Sequence, residues 1–218
     1  MLLYGGLASP YVARVVLFAR LKGIDLKPVM PEAGIKSPQF LALNPIGRMP
    51  VLDVDGAVIP ESEVICEYLE DLHPGTRGLE GVPLERARAR TVSRIFDIYV
   101  SPHASVLFRN MNPATRDASA VTAATQPLET GFGYLEHFIS GPCAAGGSLS
   151  LADCTLLPSF AIFRKTIFPA YGVADPTRGT GKLAGWWSTV STDPMGGPFL
   201  AEYEAAVDAF LKMLRGGK

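Results

Sequence analysis

The spacing of apolar and polar residues predicts a strand followed by a helix at the start of the chain. Leu2–Tyr4 is a short apolar run that two glycines end, which is typical of a buried strand. From Val12, apolar residues recur at i, i+3, i+4 and i+7, the spacing of one face of a helix. Ser9 is a favoured N-cap and Pro10 a favoured first helical residue, so we expect this helix to begin at Pro10.

A second strand, a hairpin and another helix are predicted next. Residues 24–30 predict a short strand, and residues 37–43 a helical or irregular connection. Asp55-Gly56 is a two-residue hairpin signal with short apolar runs on both sides, the first of which begins at Pro50. Residues 61–72 again place apolar side chains at a 3.6-residue period. The predicted order of elements is therefore β-α-β-(α)-β-β-α.

The start of the helix at Glu61-Ser62 is the first candidate binding site. A helix N-terminus carries unpaired N–H groups and about half a positive charge, so Ser62 and the neighbouring amides suit a carboxylate. The strand-initial Pro50 leaves the backbone of the residue before it able to pair with a peptide-like ligand. Together these parts suit a small, extended, zwitterionic peptide. Each part alone is also compatible with an ordinary hairpin and a capped helix.

The helical pattern breaks twice after this segment, at residues 73–78 and again at residues 81–83. We therefore predict a first domain over residues 1–76, a linker over residues 77–83 and an all-α domain over residues 84–218.

Several helices are predicted in the second domain. Their ranges are 86–110 with a bend at Ser101-Pro102, 118–139 with Pro127 as a point where the helix could break, 183–192 and 199–214. Ser150 and Asp153 form an S-x-x-D capping box ahead of a further apolar run. We expect a helix to begin there and Asp153 to have a structural role.

Composition excludes several classes of function. The 218 residues are 48% hydrophobic, and the formal net charge of −1 argues against a nucleic-acid or acidic-membrane partner, which needs a basic surplus. No apolar run approaches the ~20 residues that a membrane span needs, and no signal peptide is apparent, so we expect a cytoplasmic protein. The three cysteines and three histidines lack the spacing of a disulfide framework or a metal site.

Two motifs in the first domain resemble the glutathione-binding half of cytosolic glutathione transferases. The first is Asn-Pro-x-Gly-x-x-Pro-Val-Leu at residues 44–52, and the second, after the hairpin, is Glu-Ser-x-x-Ile-x-x-Tyr-Leu at residues 61–69. The capping box at residues 150–153 matches one in the family's all-α domain. The resemblance implies a thioredoxin-like N-terminal domain followed by an all-α domain, with a cis peptide bond before Pro50.

The run Ser-Pro-Tyr-x-x-Arg at residues 9–14 resembles serine-type transferases with bacterial, tau-, zeta- or omega-like patterns. The resemblance implies that the Ser9 hydroxyl donates a hydrogen bond to the glutathione sulfur and favours the thiolate. A free thiol with a pKa of ~8.5 is about 3% ionised at pH 7, and a shift of two units, worth ~2.7 kcal/mol, raises this roughly 25-fold. A plain helix cap at Ser9, and a catalytic hydroxyl on Tyr4 instead, stay open as alternatives.

The other glutathione contacts are also implied by the resemblance. Glu61 and Ser62 would hold the γ-glutamyl ammonium and carboxylate, and the Met49 backbone, beside Pro50, would pair with the cysteinyl amide. Arg48 and Lys36 would meet the glycyl carboxylate, although each alone could be a solvated surface charge.

In the family, the electrophile meets the sulfur in a cleft that the second domain helps to form. Seven residues are candidates to line it: Tyr11, Tyr99, His103, Leu107, Phe108, Phe163 and Phe168. Aromatic residues at helical spacing are also common in protein cores.

The resemblance predicts a glutathione transferase that conjugates the glutathione thiolate to a small hydrophobic electrophile. Glutathione would be the co-substrate, with no metal, and a homodimer is expected by analogy alone. Glutathione-dependent ether cleavage, dehalogenation or isomerisation on the same site is an alternative. A protein that only binds apolar ligands or a protein partner is a third possibility, although such a protein would have no need to keep Ser9, Glu61 and Ser62 together.

Overall fold

A computed structural model of the protein describes residues 1–216. Its packing divides the chain into two compact units. Unit 1 consists of Met1–Glu80 together with the chain from Ala201 onward, and unit 2 consists of Gly81–Leu200.

Unit 1 contains a four-stranded mixed sheet. The strands are β1 (Leu2–Tyr4), β2 (Pro28–Val29), β3 (Val51–Val54) and β4 (Ala57–Pro60), in the order β2-β1-β3-β4. β1 runs parallel to β2 and antiparallel to β3, which pairs with β4 as a hairpin. This topology confirms the predicted thioredoxin-like arrangement.

Three helices complete the N-terminal part of unit 1. They are α1 (Pro10–Leu21), α2 (Pro38–Leu43) and α3 (Ser62–Leu72), and α1 packs against α3. α1 begins at the predicted proline, and nearly all of its side chains are buried. The apolar positions that predicted this helix therefore lie in the core of the unit.

The hairpin turn confirms the sequence signal, whereas β2 is shorter than predicted. Asp55 and Gly56 both have positive φ values, 52° and 93°, as a tight two-residue hairpin turn requires. The strand predicted over residues 24–30 is reduced to Pro28–Val29. Within residues 1–216, β2 pairs only with β1, which is three residues long, so there is little backbone for a longer strand to pair with.

A buried ion pair joins the ends of α1 and α3. Lys22 and Glu70 contact each other and are both almost fully buried. The Lys22 ammonium also donates hydrogen bonds of 3.2 Å to the carbonyls of His73 and Thr76, just beyond the end of α3. A positive charge at a helix C-terminus is favourable, and these contacts hold the segment between α3 and the predicted linker against the end of α1.

Unit 2 is helical throughout its regular structure, as predicted. Its elements are α4 (Pro83–Ile95), a π-helical stretch (Phe96–Val100), α5 (Ser101–Arg109), a 3₁₀ turn (Pro113–Thr115), α6 (Ala118–Phe138), α7 (Leu151–Lys165), α8 (Ile167–Tyr171), α9 (Lys182–Val190) and the start of α10 (Gly196–Gly216).

Prolines affect these helices in different ways. The bend predicted at Ser101-Pro102 coincides with the end of the π-helical stretch, where the Ser101 N–H bonds to the Phe96 carbonyl five residues back. This wider turn accommodates a proline ring that an α-helical turn would bring against the carbonyl of residue 98. The break considered at Pro127 is wrong, because α6 continues through it.

Asp153 has a structural role, as expected from the capping box, because its side chain connects three segments of unit 2. Its carboxylate accepts hydrogen bonds from the Ala144 and Ser150 N–H groups, the Ser150 hydroxyl and the Trp186 indole, at 2.8–2.9 Å. Burial raises the pKa of the Asp153 carboxyl, and these donors act in the opposite direction. The carboxylate thus ties the start of α7 to the preceding loop and to α9.

The C-terminal helix differs from the predicted domain division. The sequence placed all of residues 84–218 in the all-α domain, but α10 packs with unit 1 from Ala201 onward. Glu202 pairs with Arg20 of α1 at 2.8 Å, and the Tyr203 hydroxyl donates to the Ala8 carbonyl at 3.4 Å.

Across residues 1–216, no helix combines the length and apolar character needed to span a membrane.

Candidate active site

Ser9 is the N-cap of α1, but it does not use its hydroxyl as a cap. Its backbone is extended (φ −74°, ψ 125°), and its carbonyl accepts the first helical bond from the Ala13 N–H at 2.9 Å. Its side chain makes no capping hydrogen bond to any described residue of the first turn. The half-buried hydroxyl therefore stays available at the positive end of a helix.

Ser37 provides an internal comparison, because it starts α2 with the same Ser-Pro pair. Its dihedral angles (φ −67°, ψ 150°) are close to those of Ser9. The Ser37 hydroxyl nevertheless accepts a hydrogen bond from the Phe40 N–H at 3.2 Å, as an ordinary N-cap does. The same local sequence thus gives a used hydroxyl at Ser37 and an unused one at Ser9.

Tyr4, the alternative hydroxyl, lies at the end of β1. Its half-buried ring packs edge-to-face on Phe40, with 5.9 Å between the ring centroids. This contact favours the strand-aromatic role for Tyr4.

The loop before β3 is organised by Asn44, a residue that sequence reasoning missed. The buried Asn44 amide donates to the Arg48 carbonyl at 3.0 Å and its side-chain oxygen accepts from the Ile46 N–H at 3.3 Å. The peptide bond between Met49 and Pro50 is cis, as the resemblance implied. The Asn-Pro pair was a visible turn signal, but the burial of its side chain was not.

Lys36 lies just before α2, and Arg48 lies in the loop before β3. Both side chains are exposed, and a Cβ added at Gly47 would lie 2.9 Å from the Lys36 ammonium. Gly47 has a φ of +61°, which glycine adopts without strain, and its lack of a Cβ leaves room for the Lys36 ammonium. The structure thus places the Lys36 ammonium next to the loop that carries Arg48.

The start of α3 holds the second pair of predicted residues. Glu61 is exposed, with a φ of 72°, and Ser62 is the first helical residue and is buried. The Ser62 hydroxyl accepts a hydrogen bond from Arg14 at 3.1 Å. The guanidinium of Arg14 is buried and lies 4.0 Å from the Glu63 carboxylate. Arg14 was part of the quoted motif, but no role was predicted for it.

The seven electrophile-site candidates have different surroundings. Leu107, Phe163 and Phe168 belong to the buried core of unit 2. Tyr99 is exposed, while Tyr11, His103 and Phe108 are half-buried. Within residues 1–216, no group of three metal-ligating side chains is close enough to hold a metal ion.

Comparison with known proteins decides the family. Residues 3–77 match the family described as "Glutathione S-transferase, N-terminal domain". A probable glutathione S-transferase from Oryza sativa subsp. japonica is 33% identical over 195 residues, which cover 84% of this chain and 81% of that protein. The chain belongs to the glutathione S-transferase family.

Other relatives extend the likeness over most of this transferase. Rattus norvegicus maleylacetoacetate isomerase is 32% identical over 170 residues, covering 73% of this chain and 76% of that protein. The crystal structure of glutathione transferase F7 from Populus trichocarpa is 25% identical and superposes with a TM-score of 0.75, covering 93% of this chain and 98% of that one. The predicted family and fold are confirmed.

Proposed function

We propose that this glutathione transferase activates the glutathione thiol with the Ser9 hydroxyl. The observation that carries the proposal is the hydroxyl at the N-terminus of α1, which makes no capping bond within the described residues. The identical Ser-Pro start of α2 does use its hydroxyl as a cap. A hydroxyl there can donate to a sulfur anion, and the helix dipole favours the same charge. Both effects lower the pKa of the bound thiol.

The chemistry that follows is a nucleophilic attack. The thiol loses its proton to solvent, and the thiolate forms a carbon–sulfur bond while the leaving group departs with its bonding electrons. Ser9 keeps its own proton throughout and serves as a hydrogen-bond donor. A pKa two units lower would make roughly 25 times more thiolate at pH 7, starting from ~3% for a free thiol.

The proposed binding mode spreads glutathione along unit 1. Glu61 and Ser62 at the start of α3 would hold the γ-glutamyl ammonium and carboxylate. The Met49 backbone, next to the cis bond, would pair with the cysteinyl amide. Lys36, just before α2, and Arg48, on the loop before β3, would meet the glycyl carboxylate. The charges of these groups complement the two carboxylates and one ammonium of the tripeptide.

For the electrophile, we propose a small hydrophobic compound. Tyr11 lies two residues after Ser9 and is half-buried, so it is the first contact to test. Leu107, Phe163 and Phe168 would need the core of unit 2 to open, and we do not include them. Tyr99, His103 and Phe108 remain predicted contacts.

Isomerisation on the same site is the second candidate reaction. The likeness to the rat maleylacetoacetate isomerase favours it, because the aligned region covers 76% of the length of that relative. A thiolate that adds to a conjugated double bond and later leaves would need the same Ser9 and the same tripeptide site.

One experiment separates these functions. The protein should be retained on immobilised glutathione and should turn over an activated aryl halide. Turnover of maleylacetoacetate without any aryl halide reaction would favour the isomerase, and retention without turnover of either would favour a binding protein.

Light scattering on the same sample tests the homodimer expected by analogy, and cell fractionation tests the cytoplasmic location.

A further inference from the structure

Arg14 lies between the two sites that the proposed function uses. It is on α1, five residues after Ser9, and its guanidinium reaches the start of α3. The residue is 1% exposed, which is unusual for an arginine and requires that its charge be compensated inside the fold.

The contacts of Arg14 include groups on both α1 and α3. One terminal nitrogen donates to the Ser62 hydroxyl at 3.1 Å and lies 4.0 Å from a Glu63 carboxylate oxygen. The guanidinium carbon lies 5.7 Å from the centroid of the Tyr11 ring. Arg14 therefore connects the helix that carries Ser9 with the first turn of the helix that carries Ser62.

The direction of the hydrogen bond to Ser62 has a chemical consequence. A guanidinium has donors and no acceptor, so Ser62 must be the acceptor in this bond. Its single proton is then left for another acceptor, and among the described residues Ser62 donates it to none. A hydroxyl held in this way is a donor prepared for an anion, next to a buried positive charge and the N–H groups of α3.

We propose that Arg14 is a positioning residue for the γ-glutamyl carboxylate of glutathione. It fixes Ser62 as a hydrogen-bond donor and adds a buried positive charge behind it. This inference rests on the proposed function, because it assumes that Ser62 binds that carboxylate. Arg14 acts through Ser62 and does not itself touch the sulfur.

The test compares glutathione with γ-aminobutyryl-Cys-Gly, which lacks only the γ-glutamyl carboxylate. In the wild type, loss of this carboxylate should lower kcat/KM for the thiol substrate by at least about 10-fold, mainly through KM. In Arg14→Met, the same comparison should give a ratio below about threefold. General damage to the fold would lower activity with both peptides and leave the ratio unchanged.

Arg20→Met is the matched control, because Arg20 lies on the same helix and pairs with Glu202 at a half-exposed site. It should keep the wild-type ratio. If Arg14→Met does not fold, Arg14→Lys takes its place. A lysine has a single ammonium in place of the planar fork, so its ratio should be at least about threefold below that of the wild type.

The outcomes distinguish the two claims. A wild-type ratio near one would remove Ser62 from the carboxylate site and the inference with it. A high ratio in the wild type that persists in the folded Arg14 variant would leave the proposed site standing and overturn the role of Arg14.

Discussion

Three serines at helix starts in unit 1 use their hydroxyls in three different ways. Ser37 caps its own helix, Ser62 accepts from a buried arginine, and Ser9 makes no capping bond with the described residues of its first turn. Sequence placed Ser9 and Ser62 at helix starts from local signals, and left residues 37–43 as either helical or irregular. It could not show the hydroxyl contacts, since Arg14 and Ser62 are 48 residues apart in the chain.

The buried side chain of Asn44 gives a prediction at this scale. Asn44→Ala removes a bond to the Arg48 carbonyl and a bond from the Ile46 N–H, in a buried setting. We expect the free energy of unfolding to fall by about 2–3 kcal/mol, and KM for glutathione to rise because the loop before β3 loosens. Urea unfolding and steady-state kinetics measure the two effects.

Asn112→Ala is the control for this prediction. Asn112 accepts a hydrogen bond from the N–H two residues on, as Asn44 does, but on an exposed turn. Its loss should cost less than about 1 kcal/mol and leave KM unchanged. Equal costs at the two positions would contradict the organising role of Asn44.

At the scale of elements, local signals predicted helix starts well and lengths less well. Proline, serine and the capping box placed the starts of α1 and α7, because these signals act within one turn. The short β2 and the five-residue α8 depend on what they pack against, so their extents could not be read from spacing. The continuity of α6 through Pro127 is another effect of packing.

At Gly131, helix α6 packs closely against the backbone of the π-helical stretch. A Cβ added at Gly131 would lie 2.4 Å from the Tyr99 carbonyl oxygen and 2.9 Å from a Val100 methyl group. Gly131→Ala should therefore lower the free energy of unfolding by about 1–3 kcal/mol, because backbone must move apart. Thermal or urea unfolding measures this change.

Gly133→Ala is a control from the same helix. Apart from its own chain neighbours and the nearby backbone of α6, no atom of the described residues lies within 4 Å of a Cβ added there. Alanine should therefore stabilise the helix by up to about 1 kcal/mol. The account predicts changes of opposite sign two residues apart. Two stabilising changes would show that α6 does not approach the π-helical stretch so closely.

At the scale of the whole molecule, the family resemblance predicted the order of a thioredoxin-like part and a helical part. It did not predict that the end of the chain returns to unit 1. That return depends on contacts between residues almost 200 positions apart, such as Tyr203 with Ala8 and Glu202 with Arg20. Apolar periodicity identifies the helix α10 but carries no information on which unit covers it.

The packing of α10 predicts a large cost for the loss of Tyr203. This side chain is fully buried, and burial raises the pKa of its phenol well above the ordinary value. Tyr203→Ala should lower the free energy of unfolding by about 3–5 kcal/mol. Tyr134→Ala, at a position 44% exposed, should cost much less. Similar unfolding midpoints for the two variants would contradict the place of α10 in unit 1.

We propose that the Ser9 hydroxyl, which caps no N–H group in the first turn of α1, instead donates to the glutathione sulfur. The most direct test measures the pH dependence of kcat/KM for an activated aryl halide, and the stability to urea, in Ser9→Ala and Ser37→Ala. We expect Ser9→Ala to lower kcat/KM at least ~10-fold at pH 7, to move the rise in rate to higher pH and to change the free energy of unfolding very little.

In the same measurement, Ser37→Ala should lose about 1 kcal/mol of stability and keep its pH profile, because only its helix cap is removed. An unchanged pH–rate profile in Ser9→Ala would contradict the claim and return Ser9 to the role of a plain helix start.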